Sequence, residues 1–289
     1  ASVEPRIGAR LRINETQSLS AGVGLHSQMQ PITVYFNREE DEGGNVVSNN
    51  KSLGFNRSFH SVVGYDYQFS EFARLKAEAY YQYLFDVAVD RFSSSFSMLN
   101  TGADFTLPQN ADLVNDGSGT NMGVELTLER FLNKGYYFLF TTSLFDSKYK
   151  GSDGVVRNTA FNGNYVVNLL SGREWKVGKS NAIVADIRVT YAGGRRYAPI
   201  DLDASRLEGR EVRIETDNNS QQYNAYFRTD MKVGFRMNGR RVSQAISLDI
   251  RNVTNQQNVF MQSYDNIKRD VETVYQTGLF PVVLYNLYF

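Results

Sequence analysis

The chain contains no cysteine, and its 289 residues include only two histidines, five prolines and one tryptophan. The absence of cysteine excludes a disulfide framework, a thiol nucleophile and thiolate-ligated zinc or iron–sulfur sites. Two histidines leave little material for a histidine metal centre or a Ser-His-Asp triad. We therefore expect no enzymatic activity, no resident metal and no other cofactor.

The chain also lacks an excess of charge of either sign, since 31 basic residues balance 31 acidic ones. Nucleic-acid binding needs a basic surplus, so no nucleic-acid partner is expected. No apolar run approaches the roughly 18 residues that a spanning helix requires. The first residues show no charged and apolar leader, so either a leader was removed or the sequence begins within a longer protein. The absence of long apolar runs does not exclude a transmembrane β-barrel, because the strands of such a barrel alternate apolar and polar residues.

Alternation with a period of two runs along the chain, and segment 223–237 shows it best. One side of this segment is mainly apolar, and the intervening residues are mostly polar or charged. The first side consists of Tyr223, Ala225, Phe227, Thr229, Met231, Val233, Phe235 and Met237. The pattern predicts a strand with one wet face. At about 3.3 Å per residue it reaches about 50 Å, which is typical of a tilted membrane strand rather than of a globular one.

Eleven such segments are predicted as strands. They cover residues 3–13, 17–28, 57–69, 73–90, 121–131, 135–148, 161–175, 181–195, 222–237, 241–253 and 273–289. Segment 71–90 has helix-favouring composition, but its strict alternation and its Tyr, Phe and Val content favour a strand. Short polar turns alternate along the chain with connections that are mostly long, as in outer-membrane barrels with short periplasmic turns and long extracellular loops.

The odd number of strands bears on how a barrel closes. With short turns on the periplasmic side, the first and last strands both run toward the periplasm, whereas complete single-chain bacterial barrels have even strand numbers. We therefore expect an all-β chain that forms the C-terminal half of a transmembrane antiparallel β-barrel of about 22 strands. The final residues Val283, Tyr285, Leu287 and Phe289 fall on one face of the last strand. They resemble the signal by which outer-membrane barrels are recognised for assembly.

Four stretches carry a family resemblance. They are PRIGARLRINETQSLSAGVGLHSQMQP (5–31), GYDYQFSEFARLKAEAYYQYLFDVAVD (64–90), YAGGRRYAPIDL (191–202) and SLDIRNVTNQQNVF (247–260). Together they resemble the C-terminal barrel half of TonB-dependent outer-membrane receptors, especially those of Bacteroidota. The resemblance spans nearly all of residues 1–289, and none of the N-terminal plug domain or TonB-contacting segment is present in them.

The resemblance implies location in the bacterial outer membrane and active import of a nutrient ligand. Its implied partners are the TonB complex, the receptor's own plug domain, the barrel assembly machinery, and membrane lipid with lipopolysaccharide. A surface lipoprotein is a further candidate partner. The alternative is a barrel without a plug, either a porin or a channel dedicated to secretion or to a surface lipoprotein. A barrel protease or phospholipase is a third hypothesis, but it needs a histidine aimed at the rim or the membrane.

Two groups of residues are candidate ligand sites. His26 and His60 fall on lumen-facing positions, and a register in which paired residue numbers sum to 86 places them directly opposite each other. This pair suits either metal binding or a pH response, but we expect a hydrogen-bonded polar pair. Arg195, Arg196 and Tyr197 follow Gly193-Gly194 where a strand enters a long loop. They favour either an anionic ligand, lipopolysaccharide phosphate included, or a solvated rim.

Overall fold

The computed structural model describes residues 2–40, 43–103 and 107–289. Its main body is one antiparallel sheet in which eleven strands follow each other in chain order. These strands are β1 (Arg6–Arg12), β2 (Gln17–Gln28), β3 (Asn56–Ser70), β4 (Ala73–Asp90), β5 (Leu113–Asn133), β6 (Tyr136–Lys150), β7 (Tyr165–Val177), β8 (Asn181–Ala192), β9 (Tyr226–Asn238), β10 (Ser243–Arg251) and β11 (Phe280–Tyr288). The predicted all-β architecture of eleven strands is confirmed.

The connections alternate between the two rims of the sheet as the sequence predicts. One rim, named the short rim, carries the connections 13–16, 71–72, 134–135, 178–180 and 239–242. The other, named the long rim, carries 29–55, 91–112, 151–164, 193–225 and 252–279. Because each strand pairs antiparallel with its neighbour in sequence, successive connections lie at opposite ends of the strands, and the long connections all lie at the same end.

The long connections contain short elements of their own. The short strands are Glu39–Glu40, Val46–Val47, Val156–Asn158, Arg196–Tyr197, Gln221–Gln222, Val259–Asp265 and Asp270–Tyr275. The one α-helix of the described residues, α1, is Leu202–Glu208, and 3-10 turns cover Ile32–Phe36, Asn50–Ser52, Met98–Asn100 and Glu215–Asp217. Within the described ranges, no helix is long and apolar enough to span a membrane.

Several predicted strand ends are wrong. β5 begins at Leu113 rather than at residue 121, because residues 113–117 pair with the end of β4 from Asp90 back to Val87. The last strand begins at Phe280 rather than at residue 273. Residues 270–275 instead fold back on 259–265 as a hairpin within the last long connection. Alternation alone reveals neither boundary, because a hairpin in a loop has the same period of two as a strand of the sheet.

The two faces of the sheet differ in polarity, and the pairing of β9 with β10 shows why. Val233 lies opposite Leu248, and Lys232 lies opposite Asp249. Since side chains alternate across a strand, one face of the sheet becomes apolar and the other charged. Val233 and Leu248 remain 55% and 43% exposed, so the apolar face is uncovered along the whole sheet. This is the arrangement of a wall with lipid on one side and a polar lumen on the other.

The C-terminal residues agree with the predicted face. Val283 and Tyr285 lie opposite Leu248 and Ile246, and Leu287 continues the same side of β11. All three are exposed, and Phe289, directly after the strand, is 99% exposed. Val283, Tyr285 and Leu287 therefore lie on the apolar face, whereas the role of the four residues as an assembly signal stays a prediction.

A tyrosine on the polar face is seated over a glycine. Tyr137 and Asp186 are the pairing partners of Gly172 on its two sides, and the Tyr137 hydroxyl donates to Asp186 Oδ1 at 2.7 Å. A Cβ on Gly172 would collide with both the tyrosine ring and the aspartate oxygen. The glycine therefore creates the space through which β6 and β8 are joined across β7.

Replacing this tyrosine, Tyr137→Phe, is expected to lower the free energy of unfolding by about 1–2 kcal/mol, because it removes a hydrogen bond to a charged acceptor. Urea titration of the purified protein in detergent measures the change. Tyr136→Phe is the matched control, since Tyr136 lies next in sequence on the apolar face and its hydroxyl has no hydrogen bond to another described residue. Equal losses from both variants would contradict the expectation.

Candidate functional site

Four of the long connections converge into one loop cluster at the long rim. The cluster encloses a cavity of about 260 Å³ to which the connections 91–112, 151–164, 193–225 and 252–279 all contribute. Its wall combines aromatic and apolar groups with amides, among them Phe96, Asn100, Tyr197, Asn219, Tyr223 and Met261. The cavity is thus built from segments far apart in sequence, which the strand order brings to the same end of the sheet.

Two stacked tyrosines form one side of this loop cavity. Tyr197 and Tyr223 have ring centroids 4.0 Å apart and planes inclined by 11°. They are aligned because Arg196–Tyr197 pairs with Gln221–Gln222 as a two-stranded ribbon. The hydroxyl of Tyr223 accepts a hydrogen bond from the Gln262 backbone N–H at 2.9 Å, and burial raises the pKa of its phenol. The pair therefore presents a rigid aromatic surface to the cavity.

Arg195 and Arg196 link the connections of the loop cluster through hydrogen bonds. Arg196 Nε donates to the Asn162 carbonyl at 2.9 Å, and its Nη2 donates to Asn164 Oδ1 at 3.1 Å. Arg195 Nη2 donates to the carbonyl of Ala103. Both arginines and Tyr197 line the loop cavity, and Arg196 is partly buried there. Binding of a ligand by these three residues stays a prediction.

Arg213 is a further residue of the loop cluster, and the sequence did not predict its role. Arg213 donates from Nη1 to the Ala198 carbonyl at 2.8 Å and from Nη2 to the Gln262 carbonyl at 2.9 Å. Its Nε pairs with Glu211 at 2.7 Å. One guanidinium thus ties connection 193–225 to connection 252–279. No sequence motif surrounds Arg213, so nothing distinguished it from the other arginines of the chain.

An ion pair between Arg157 and Asp153, both largely buried, stabilises the conformation of connection 151–164. Arg157 Nη2 lies 2.7 Å from Asp153 Oδ2, with the side chains only 9% and 16% exposed. The hydrogen bond from Arg157 is the main reason that the pKa of Asp153 lies below its ordinary value of 3.8. A carboxyl whose native pKa is depressed contributes stability above its unfolded-state pKa and loses it as the pH falls toward the native value.

We therefore expect acidification below about pH 4 to loosen connection 151–164. Asp153→Asn is expected to be less stable than the parent at pH 7 and to show a shallower loss of stability between pH 7 and pH 3. Limited proteolysis of the connection across this range measures the effect. Asp203→Asn is the control, because the Asp203 side chain is 99% exposed and lies 3.9 Å from its arginine. Parallel pH profiles for the parent and Asp153→Asn would contradict the assignment.

The two histidines lie together on the polar face near the long rim, but not directly opposite each other. Paired residue numbers on β2 and β3 sum to 84, so His60 faces Gly24 and His26 faces Ser58. The predicted register of 86 is wrong because Gln17 pairs with Tyr67 rather than with Phe69. A shift of two residues leaves every side chain on the same face, so the alternation did not reveal it. The rings are diagonal neighbours with centroids 6.1 Å apart.

Comparison with solved structures places this fold among outer-membrane receptors and transporters. The outer membrane transporter YddB from Escherichia coli superposes with a TM-score of 0.65 at 14% identity over 99% of this chain and 41% of its own. The ferric yersiniabactin uptake receptor FyuA from Yersinia pestis gives 0.62 at 13% identity over 98% of this chain and 36% of its own. The ferripyoverdine receptor of Pseudomonas aeruginosa gives 0.63 at 12% identity over 99% and 32%.

The chain therefore has the fold of a barrel wall from an outer-membrane receptor, and it spans well under half the length of the proteins it matches. No protein-family model matches the sequence. No curated protein matches it either. At identities this low the similarity defines the fold, whereas function rests on the site.

Proposed function

We propose that residues 1–289 form the C-terminal barrel half of a TonB-dependent transporter of the Bacteroidota type in the bacterial outer membrane, and that this transporter imports a nutrient ligand. The observation that carries the proposal is the wall itself, which has eleven antiparallel strands of 7 to 21 residues and every long connection at one rim. The fold neighbours include proteins described as an uptake receptor and an outer membrane transporter. The proposal assigns no catalytic role to the chain.

The free edges of the sheet support completion by further strands. Among the described residues, β1 pairs only with β2, and β11 pairs only with β10. Because the number of strands is odd, β1 and β11 run in the same direction, and joining them directly would create a parallel pair. An antiparallel barrel needs an odd number of additional strands between them. Eleven further strands satisfy this condition and give the proposed 22.

The loop cluster is the proposed extracellular ligand site. Its cavity has a rigid aromatic side, formed by Tyr197 and Tyr223, and an amide side that includes Asn100 and Asn219. Apolar walls with a few fixed polar groups are the general form of a small-molecule site. Because the arginines link the connections to each other, ligand contact at one connection is transmitted to the others through Arg196 and Arg213.

The proposed partners follow from the same arrangement. We assign the plug domain and the contact with the TonB complex to an N-terminal region outside residues 1–289, and recognition by the barrel assembly machinery to the C-terminal strand. Lipid and lipopolysaccharide cover the apolar face, and a surface lipoprotein is a candidate partner at the long rim. Mixed charges on the polar face suit contact with a folded domain in the lumen, since Lys232 lies between Asp186 and Asp249 on neighbouring strands.

Solute depletion from the medium tests the import proposal. Cells with and without the complete polypeptide are compared, each in the presence and absence of a functional TonB complex, by mass spectrometry of the spent medium. We expect a solute whose depletion requires both the polypeptide and the TonB complex. Tyr197→Ala is expected to reduce that depletion, whereas Tyr136→Phe on the apolar face leaves it unchanged.

The alternative, a porin or a channel dedicated to a partner, gives a different result. Depletion that depends on the polypeptide but continues without the TonB complex indicates a passive barrel. The denatured mass of the natural polypeptide adds a second criterion, because a plug and eleven further strands require a chain much heavier than 32.8 kDa.

A further inference from the structure

The two histidines have features that import by itself does not explain. His26 and His60 are both partly buried on the polar face, and their rings are inclined by 58° at a centroid distance of 6.1 Å. Neither imidazole has a hydrogen bond to another described residue, so the expected hydrogen-bonded polar pair is not formed within the protein. Their ring nitrogens are therefore available to an external ligand.

The surroundings hold both rings over a common floor. Gly24 lies opposite His60, and a Cβ on Gly24 would lie 3.4 Å from His26 Nε2. The Nε2 atom thus lies over Gly24, the pairing partner of His60, and the Arg6 side chain covers the same glycine from β1, with its Cγ 2.9 Å from that Cβ position. Gly8 and Gly22 extend this floor, and together with the histidines they line an open cavity of about 320 Å³. On the other side, Tyr80 packs edge-on against His60 at 6.4 Å and limits the rotation of its ring.

We propose that His26 and His60 form a two-imidazole site for a borderline divalent metal ion, with Cu²⁺ as its tightest ligand. Metal–nitrogen bonds of about 2.0–2.1 Å, added to the roughly 1.1 Å between a ring nitrogen and its ring centre, place two imidazole centres about 4.5 Å apart for ligands at a right angle and about 6.4 Å apart for opposed ligands. The observed 6.1 Å lies within this range. Imidazole suits copper, nickel and zinc, and affinity among divalent ions is highest for copper. Because two histidines leave coordination positions open, water or donor atoms of a passing solute complete the shell.

The local charge does not oppose a cation. Arg6 is the basic residue that lines the same cavity, and its guanidinium pairs with Glu4 at 2.6 Å. Among the described residues no cluster of three or more His, Cys, Asp or Glu side chains exists that would form a closed metal cage. The site is therefore labile and exchangeable, unlike a structural metal centre. It also revises the expectation from composition, because the sequence shows neither the free nitrogens nor the glycine floor.

Copper titration of the tag-free full chain in detergent tests the site, with isothermal calorimetry and electron paramagnetic resonance as readouts. We expect one Cu²⁺ per chain and a spectrum with coupling to two nitrogens. His26→Gln and His60→Gln are each expected to weaken binding about tenfold or more, and the double variant to abolish it. Gln28→Ala is the control, since Gln28 lies on the same face of β2 beyond His26.

Two results would overturn the site. The first is stoichiometric copper binding that survives in the double variant, and the second is the absence of saturable binding to the parent chain. Heat-modifiable electrophoretic mobility reports whether each variant is folded, and the nitrogen couplings of the parent keep the test decisive if a variant fails to fold. Copper binding is measured without transport, so the site stands or falls separately from the proposed import function.

Discussion

Alanine in place of Gly193 or Gly194 is expected to disrupt the loop cluster and to lower its stability by about 3 kcal/mol or more. A Cβ on Gly193 would collide with the Gly163 carbonyl oxygen, and a Cβ on Gly194 would collide with the Tyr223 carbonyl oxygen. Both obstacles are backbone atoms, so rotation of a side chain cannot relieve them. The segment that follows carries Arg196, and its displacement would break the hydrogen bonds to connection 151–164.

Limited proteolysis and the thermal midpoint of the heat-modifiable band measure this effect. Cleavage within connections 151–164 and 193–225 is expected to accelerate in Gly193→Ala, while the strands remain protected. Gly54→Ala is the matched control, because Gly54 also lies in a long connection and a Cβ there meets only Asn115 Oδ1 at 3.6 Å. If the loops of Gly193→Ala are protected as well as those of the parent, the backbones at Gly193 and Gly163 are not in close contact.

Asn50→Ala is expected to destabilise the opposite side of the long rim by about 2–4 kcal/mol. Asn50 is fully buried and joins three segments through its amide. Its Nδ2 donates to the carbonyls of Val34 and Asn110 at 2.9 and 2.8 Å, and its Oδ1 accepts from the Leu113 backbone N–H at 2.9 Å. Alanine removes these bonds and leaves buried backbone groups without the partner that Asn50 provided.

The neighbouring residue provides a close control for this prediction. Asn49 is exposed, and its side chain donates one hydrogen bond to Asp112, which Arg91 also contacts. Asn49→Ala is therefore expected to cost less than about 1 kcal/mol. Urea titration and proteolysis of connections 29–55 and 91–112 separate the two variants. A difference below the experimental error would mean that Asn50 does not hold these connections together.

A cluster of buried apolar residues near Asn50 explains why the hydrogen bonds of Asn50 matter for stability. Val34, Leu53, Ala88, Met98 and Leu113 form a small core between connections 29–55 and 91–112, the end of β4 and the start of β5. A barrel wall has no interior of its own, since one face meets lipid and the other a polar lumen. The packed apolar contacts that stabilise the chain against itself are therefore found under its long loops.

Alternation in the sequence was sufficient to predict the sheet. The period of two in segments such as 223–237 follows from the two environments on either side of the wall, and it determines which residues share a face. The alternation of short and long connections likewise followed from the positions of polar turn residues, and with it the direction of every strand. The odd number of strands likewise required no coordinates.

The tertiary structure decided the register of the histidines and the composition of the loop cluster. The pairing of His60 with Gly24 rather than His26 depends on how β3 pairs with β2, and a shift of two residues leaves the face of every side chain unchanged. The sequence pattern therefore cannot detect it. The contacts of Asn50, Arg196 and Arg213 connect residues distant in sequence, and only the folded loops bring their donors and acceptors together. For this protein, local periodicity determined the wall, and long-range contacts between aperiodic segments determined the candidate site.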